Sequence, residues 1–296
     1  MKTGYKLPTM KEIAEIKPNG FDVASTFSGC GGSSLGYRMA GFRVLWANEF
    51  VPEAAKTYSA NFPKTRIDIR DIRKIRPEEI LEATGKKIGE LDLFDGSPPC
   101  ASFSTAGARE DGWGKVKKYS DVSQRTDDLF LEYARLLEGL MPKTFVAENV
   151  SGLVKGVAKG WFKDILELLR SKGYSVKASL LDSKWLGVPQ GRSRLIFVGV
   201  RSDLGIEPEF PKPLSFKVSI TEALAGLDAE VEPESSIEGT AIGREWVNLK
   251  PGERSRKYFN LVKADFSKPS PTICASHGSR GVASVVHSTE KRKFSE

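Results

Sequence analysis

From Phe21 to Val200 the chain alternates short apolar runs with longer segments whose apolar residues recur at helical spacing. The runs Phe21–Thr26, Arg43–Ala47, Arg66–Ile69, Leu91–Asp95, Thr144–Ala147, Ser175–Leu181 and Leu195–Val200 predict strands. Between them, Ser33–Ala40, Glu53–Ala60, Asp127–Gly139 and Trp161–Leu169 predict helices. In the last of these Trp161, Ile165, Leu168 and Leu169 share one face, and Gly173 supplies a C-terminal stop. Strands that alternate with helices build an α/β fold with a doubly wound, mostly parallel sheet. The texture then changes, with Pro208, Pro211 and Pro213, acids between Asp228 and Glu238, and a mixed basic and aromatic stretch. The expected division is a larger domain over 1–204, a small domain over 205–266 and a return segment over 267–296.

At 296 residues there is enough chain for a sizeable core and a second, smaller one. The 45 Lys and Arg exceed the 38 acids, giving a net charge of +7 and an isoelectric point near 9.2. That excess points to a polyanionic partner, although a solvated basic surface would show the same balance. The three cysteines, Cys30, Cys100 and Cys274, are widely spaced and odd in number, with no C-x-x-C pair. Neither a disulfide framework nor a metal site is expected from them, and the compartment reads as reducing and cytoplasmic. No apolar run is long enough for a membrane span, and the N-terminal residues lack the apolar core of a secretion signal. Both histidines, His277 and His287, fall near the end of the chain, which argues against a Ser-His or Cys-His hydrolase.

Cys100 closes the run Gly96-Ser97-Pro98-Pro99-Cys100 directly after an apolar strand. Two prolines fix φ and remove two donors, so the turn is stiff and suited to presenting a thiol into a cleft. The alternative is a buried, inert cysteine, the usual condition of a free thiol. The first strand runs into Phe27-Ser28-Gly29-Cys30-Gly31-Gly32, a turn that lets a ligand approach backbone at a helix N-terminus. On its own, such a turn equally suits a tight join with no ligand. Glu49, at the end of the second strand, stands about 20 residues further on, where an acid suits ribose hydroxyls. Because G-x-G-G is not G-x-G-x-x-G, the pair favours an adenosine-containing cofactor without pointing to NAD.

Read in order, these two turns, Asn48-Glu49-Phe50, Asp71-Ile72, Phe103-Ser104, Glu148-Asn149-Val150 and Gln190-Gly191-Arg192-Ser193-Arg194 resemble the ordered motifs of the DNA cytosine-5 methyltransferase family. The resemblance covers roughly residues 21–200 and the end of the chain, and implies a Rossmann-like methyltransferase fold. It implies S-adenosylmethionine as cofactor and double-stranded DNA as partner, with the target cytosine flipped out of the duplex. Cys100 would add to carbon 6, and Arg192 and Arg194 would supply a positive field that favours its thiolate. Glu148 would bond ring nitrogen 3 and the exocyclic amine, delivered to the same crevice as Cys100 by a neighbouring parallel strand. Arg194 would contact the base oxygen and orient Glu148, while Arg192 would sit near the phosphate or the cysteine. Gln190, Arg192 and Arg194 alternate at spacing two and would share a face. Asn149 would brace the site, and Ser104 would lie near the target strand's backbone. For the cofactor, the Phe27, Ser28, Gly29, Cys30 and Gly32 turn would hold the methionine end, Glu49 the ribose and Asp71 the adenine amine. Phe50 and Ile72 would pack on the adenine, with Pro99 and Leu129 as lining. Phe50, Ile72 and Leu129 have a core role as the alternative.

The chain departs from the family pattern in three places. Ser25-Thr26 stand where the family has an acid and an apolar residue, and Ala101 where it has Gln. The first departure bears on the cofactor pocket. Pro269-Ser270-Pro271-Thr272-Ile273 and then His287–Glu296 resemble the lead-in and opening of a further family motif, where the chain stops, so the family's last helix is missing; the expectation is that a second polypeptide supplies it or that the chain is a truncated product. Arg244, Trp246, Lys250, Arg254, Arg256, Lys257, Tyr258 and Phe259 suit phosphate and base-edge contacts, or equally a solvated basic loop packed on aromatics. Competing readings are an RNA cytosine-5 methyltransferase, a non-catalytic or split subunit and, more distantly, an NAD-dependent oxidoreductase.

Overall fold

The computed structural model describes residues 5–99, 117–119, 122–124, 128–154, 159–226, 235–273 and 282–294. It divides into two compact units, one of Pro8–Leu181 with Arg194–Phe210, the other of Met1–Leu7, Asp182–Ser193 and Pro211–Glu296. The sequence pattern places a boundary at 204/205; the contact division falls at Phe210/Pro211 and assigns 182–193 to the smaller unit.

In the larger unit the chain runs α1 (Met10–Ala14), β1 (Asp22–Thr26), α2 (Gly32–Met39), β2 (Arg43–Asn48), α3 (Pro52–Asn61), β3 (Arg66–Asp68), α4 (Pro77–Thr84) and β4 (Leu93–Gly96). It continues through a short hairpin, β5 (Lys117–Tyr119) and β6 (Val122–Gln124), then α5 (Leu129–Leu140), β7 (Thr144–Val150), α6 (Lys159–Ser171), β8 (Tyr174–Asp182) and β9 (Ser193–Arg201). One seven-stranded sheet takes the order β3-β2-β1-β4-β7-β9-β8. The β2–β3, β1–β2, β1–β4 and β4–β7 pairs are parallel, and β7–β9 is antiparallel. All seven expected strands are in it. The β7 strand runs on to Val150, three residues past its predicted end.

Helices cover both faces, which is why all five residues of β1 are buried. On one face Ala24, Trp46, Phe94, Phe145 and Phe197 pack with Ile80 of α4, Leu129, Tyr133 and Leu137 of α5, and Ile165 and Leu169 of α6. On the other, Val23, Val44 and Leu93 meet Tyr37 of α2, while Ala47 meets Tyr58 of α3 and Phe62 just beyond it. Two described helices of the larger unit escaped the periodicity reading. The α1 helix is a single turn fixed by a Thr9–Glu12 capping box. The α4 helix carries its signal at the ends, with Pro77 opening it and Gly85 closing it at φ +65°.

Packing is close where β7 meets β9. Phe145 opposes Gly199, and a Cβ on Gly199 would land on the Phe145 ring. Gly199→Ala is therefore expected to lower stability by about 1–3 kcal/mol. Urea unfolding should show a lower midpoint with an unchanged slope; an unchanged midpoint would mean that the ring moves aside freely.

The smaller unit holds α7 (Ile220–Leu224), α8 (Ala241–Trp246) and the two-stranded β10 (Val262–Lys263) and β11 (Val285–Val286). Its core joins Ile237, Ile242, Leu249, Leu261 and Val286.

Candidate active site

Parallel strands β1 and β4 end level with each other, Thr26 opposite Gly96, so the two glycine-containing turns emerge side by side at the carboxyl edge of the sheet. Gly96 has to be glycine, because a Cβ there would stand 2.6 Å from both Thr26 Oγ1 and the Tyr133 ring. The Ser97 hydroxyl donates to the Phe27 carbonyl at 3.1 Å and fastens one turn to the other.

The Phe27 turn reverses sharply. Phe27 sits at φ +53°, Gly29 at +55° and Gly31 at +97°. Gly31 begins α2 with no side-chain cap, so the first-turn amides keep their donors available. Cβ positions on Gly29 and Gly32 would meet nothing within 4 Å, which leaves the backbone open to a ligand. Cys30 is an exposed free thiol. Ser28 is buried, and its amide donates to the Asn48 carbonyl at 3.0 Å.

Glu49 secures this turn from below. One of its carboxylate oxygens accepts the Gly29 amide and the other the Val51 amide, each at 2.7 Å. Each oxygen retains a lone pair for a further donor. Asp71 accepts the Arg73 amide at 3.0 Å and pairs with the Arg73 guanidinium at 3.1 Å, and Arg73 reaches Asp128 at 2.6 Å. Phe50 and Pro99 are half-buried. Ile72 and Leu129 lie in the main core at 2 % and 0 % exposure, so their position is the core alternative rather than an open cofactor face.

The β4–β7 ladder ends at Gly96 and Ala147, because Pro98 and Pro99 have no N–H to continue it. The Asn149 side chain, 2 % exposed, takes over by donating its amide to the Pro98 carbonyl at 3.3 Å. This ties β7 to the turn that leads into Cys100. Cys100 itself and Ser104 lie outside the described residues.

Glu148 opposes Ile196 across β7 and β9, and Arg194, two residues before Ile196, faces the same side. Its Nε lies 2.6 Å from Glu148 Oε1, with side chains 25 % and 33 % exposed. The pair is held from two strands and still reachable. Of Gln190, Arg192 and Arg194, for which a shared face is expected, Arg194 alone lies in β9, which starts at Ser193. Gln190 instead makes an isolated parallel bridge with Ser270, and the Arg192 carbonyl accepts the Ser183 amide. A spacing of two aligns side chains only within an extended strand.

Asp95 was missed by the sequence reading. It is buried beneath both turns, accepting from Ser25 Oγ at 2.8 Å, Ser33 Oγ at 2.9 Å and Tyr37 OH at 2.9 Å. Burial pushes its carboxyl above the usual range, and the three hydroxyls offset part of that. Ser25 opposes Asp95 in the β1–β4 ladder. The acid absent at position 25 thus has a counterpart one strand over. An isolated Asp in an apolar run carries no sequence signal, but its pairing with a serine in the neighbouring strand does once register is known.

In the smaller unit the basic and aromatic stretch splits into two roles. Trp246 and Tyr258 pack on the core, and Lys263 Nζ lies 3.6 Å from the Trp246 ring centroid. Arg244, Lys250, Arg254, Arg256, Lys257 and Phe259 are exposed. Among the described residues no helix is long and apolar enough to cross a membrane.

The sheet order and paired turns define the class first, a Rossmann-like fold of the methyltransferase kind. The chain belongs to the C-5 cytosine-specific DNA methylase family, whose model matches residues 21–271. It is 38 % identical over 203 residues to the Type II methyltransferase M.NgoPII of Neisseria gonorrhoeae, covering 69 % of this chain and 54 % of that one. To the Type II methyltransferase M.MthTI of Methanothermobacter thermautotrophicus it is 36 % identical over 220 residues, covering 73 % and 59 %. The chain therefore spans little more than half the length of these relatives. A solved structure described as a DNA modification methyltransferase encoded within an Escherichia coli prophage superposes with a TM-score of 0.69 at 22 % identity, covering 93 % of this chain and 86 % of that one. The expected second polypeptide finds no support in these comparisons.

Proposed function

We propose that the chain transfers a methyl group from S-adenosylmethionine to carbon 5 of a flipped-out cytosine in DNA, through a covalent Cys100 adduct at carbon 6. The observation that carries this reading is the Glu148–Arg194 pair at 2.6 Å. It is attached through the adjacent Asn149 to the Pro98 carbonyl of the turn that ends at Cys100.

Carbon 5 of cytosine is too poor a nucleophile to take a methyl group unaided. Addition of a thiolate at carbon 6 turns the ring into an enamine and moves electron density to carbon 5. Glu148, steadied by Arg194, would hold nitrogen 3 and the exocyclic amine, so that negative charge developing on the ring is met by a proton. S-adenosylmethionine supplies an electrophilic methyl group on a cationic sulfur. The residues present fit this cofactor. The open backbone at Gly29 and Gly32 and the uncapped α2 amides suit its methionine end, Glu49 its ribose and Asp71 its adenine amine. The exposed cations of the smaller unit would take backbone phosphates and base edges. We infer a setting of restriction and modification in the cytoplasm, a reading supported by the Type II methyltransferases among the relatives.

The test supplies methyl-labelled S-adenosylmethionine with duplex DNA of mixed sequence or with transfer RNA. Label should enter DNA and chromatograph as 5-methylcytosine. Label in RNA alone would transfer the reading to RNA, and folded chain that labels neither would remove it.

A further inference from the structure

We propose that Asp95 is the fixed negative charge that makes the glycine-rich turn prefer the cationic methyl donor over its neutral thioether product. The inference rests on the reading of that turn as the S-adenosylmethionine site.

Asp95 is buried, and among the described residues its carboxylate is met by hydroxyls, from Ser25 on β1 and from Ser33 and Tyr37 on α2. Among the described residues no lysine or arginine pairs with it, and Glu148 on β7 adds a second negative charge to its surroundings. Hydroxyls solvate a carboxylate without neutralising it, so the cost of burying the charge is only partly offset. The charge is also directly coupled to the turn. Ser33 lies in the first turn of α2, and Ser25 Oγ stands 3.0 Å from Ser28 Oγ, the residue after Phe27. Each path from carboxylate to turn is one or two hydroxyls long.

A buried charge is screened little by salt, so it acts on any charge placed at the turn. S-adenosylmethionine and S-adenosylhomocysteine share their adenosine, ammonium and carboxylate groups and differ in one methyl and one positive charge at sulfur. Asp95 therefore acts on the difference between them. It tightens the donor and helps the turn release the product, whose sulfur is neutral. Because the positive charge disappears during transfer, the same interaction does not lower the chemical barrier. Its removal should raise KM for the donor without a matching fall in kcat.

The test measures dissociation constants of both compounds by calorimetry, for the unaltered chain and for Asp95→Asn. The ratio of the product's constant to the donor's is expected to fall about tenfold in the variant, chiefly through weaker donor binding. An unchanged ratio with both compounds still bound would overturn the inference alone. Failure of the unaltered chain to bind either compound would instead overturn the cofactor reading beneath it.

If Asp95→Asn does not fold, the pH dependence of the unaltered chain decides. Tyr37 on α2 and Tyr133 on α5 are held well above the ordinary tyrosine range, and Tyr58 on α3 is also raised. All three stay neutral while carboxyls titrate, below the range in which an α-amino group titrates. The facing Asp95 and Glu148 carboxyls remain. As pH falls through the raised Asp95 value, the carboxyl becomes neutral and the donor preference should decline. The decline should persist in Glu148→Gln; its absence there would assign it to Glu148 and overturn the proposal.

Discussion

Mixed with S-adenosylmethionine and duplex DNA in which every cytosine is replaced by 5-fluorocytosine, the chain is expected to form an adduct that survives denaturing electrophoresis. Cys100→Ala is expected to form none. In the proposed reaction the sulfur lone pair would make the new bond to carbon 6, and the displaced ring electrons would let carbon 5 take the methyl group. The S–CH3 bond would break with its electrons left on a neutral thioether. In normal turnover the carbon 5 proton would then depart and the C6–S bond break, restoring the ring double bond. Fluorine in place of that proton blocks the last step and leaves the enzyme attached. Uniform replacement of cytosine makes the result independent of which DNA site is read. On ordinary DNA, loss of a covalent nucleophile should cost on the order of 10⁴-fold or more in turnover. Cofactor binding by Cys100→Ala should be unchanged, which separates lost chemistry from lost folding. An adduct formed by Cys100→Ala, or none from unaltered chain that binds cofactor, would sink the mechanism.

The sheet was legible because both of its faces are covered. Strands such as β1, buried at every position, read as apolar runs even with Ser25 and Thr26 among them. Glu148 was legible for a similar reason, since a charged residue placed directly after an apolar run falls at the carboxyl edge where such folds bind ligands. What escaped depends on register and on long-range contact. Asp95 reads as an isolated acid until Ser25, Ser33 and Tyr37, residues from 58 to 70 positions away, are folded onto it. Asn149 braces the Pro98 carbonyl only because β4 and β7 are adjacent. Gln190 and Arg192 precede β9, and the backbone there bonds to Ser270 and Ser183, partners that spacing alone does not reveal. Ile72 and Leu129 show a limit of another kind, since apolar residues beside a motif look alike whether they line a pocket or fill a core.

Glu148→Gln should reduce methyl transfer by about 10²–10⁴-fold, the usual scale for a positioned acid, while leaving the dissociation constant for S-adenosylmethionine unchanged. Glutamine keeps the size of the side chain but can no longer hold a proton for nitrogen 3. It also breaks the charge pair with Arg194 Nε at 2.6 Å. Because adduct formation needs the same protonation, trapping on 5-fluorocytosine should slow by a similar factor. A variant that trapped at the normal rate but transferred methyl slowly would move Glu148 to a later step. Arg194→Ala leaves the carboxylate in place without its orienting partner, and should cost less than Glu148→Gln. If the two act as one unit, the double variant should be little worse than Glu148→Gln alone. Losses that multiply independently would mean that Arg194 serves the base directly, through the oxygen, and does not work by orienting Glu148. Arg194→Lys distinguishes these roles further. A lysine can restore the charge but not the planar fork, so recovery would indicate a field effect and continued loss a positioning one.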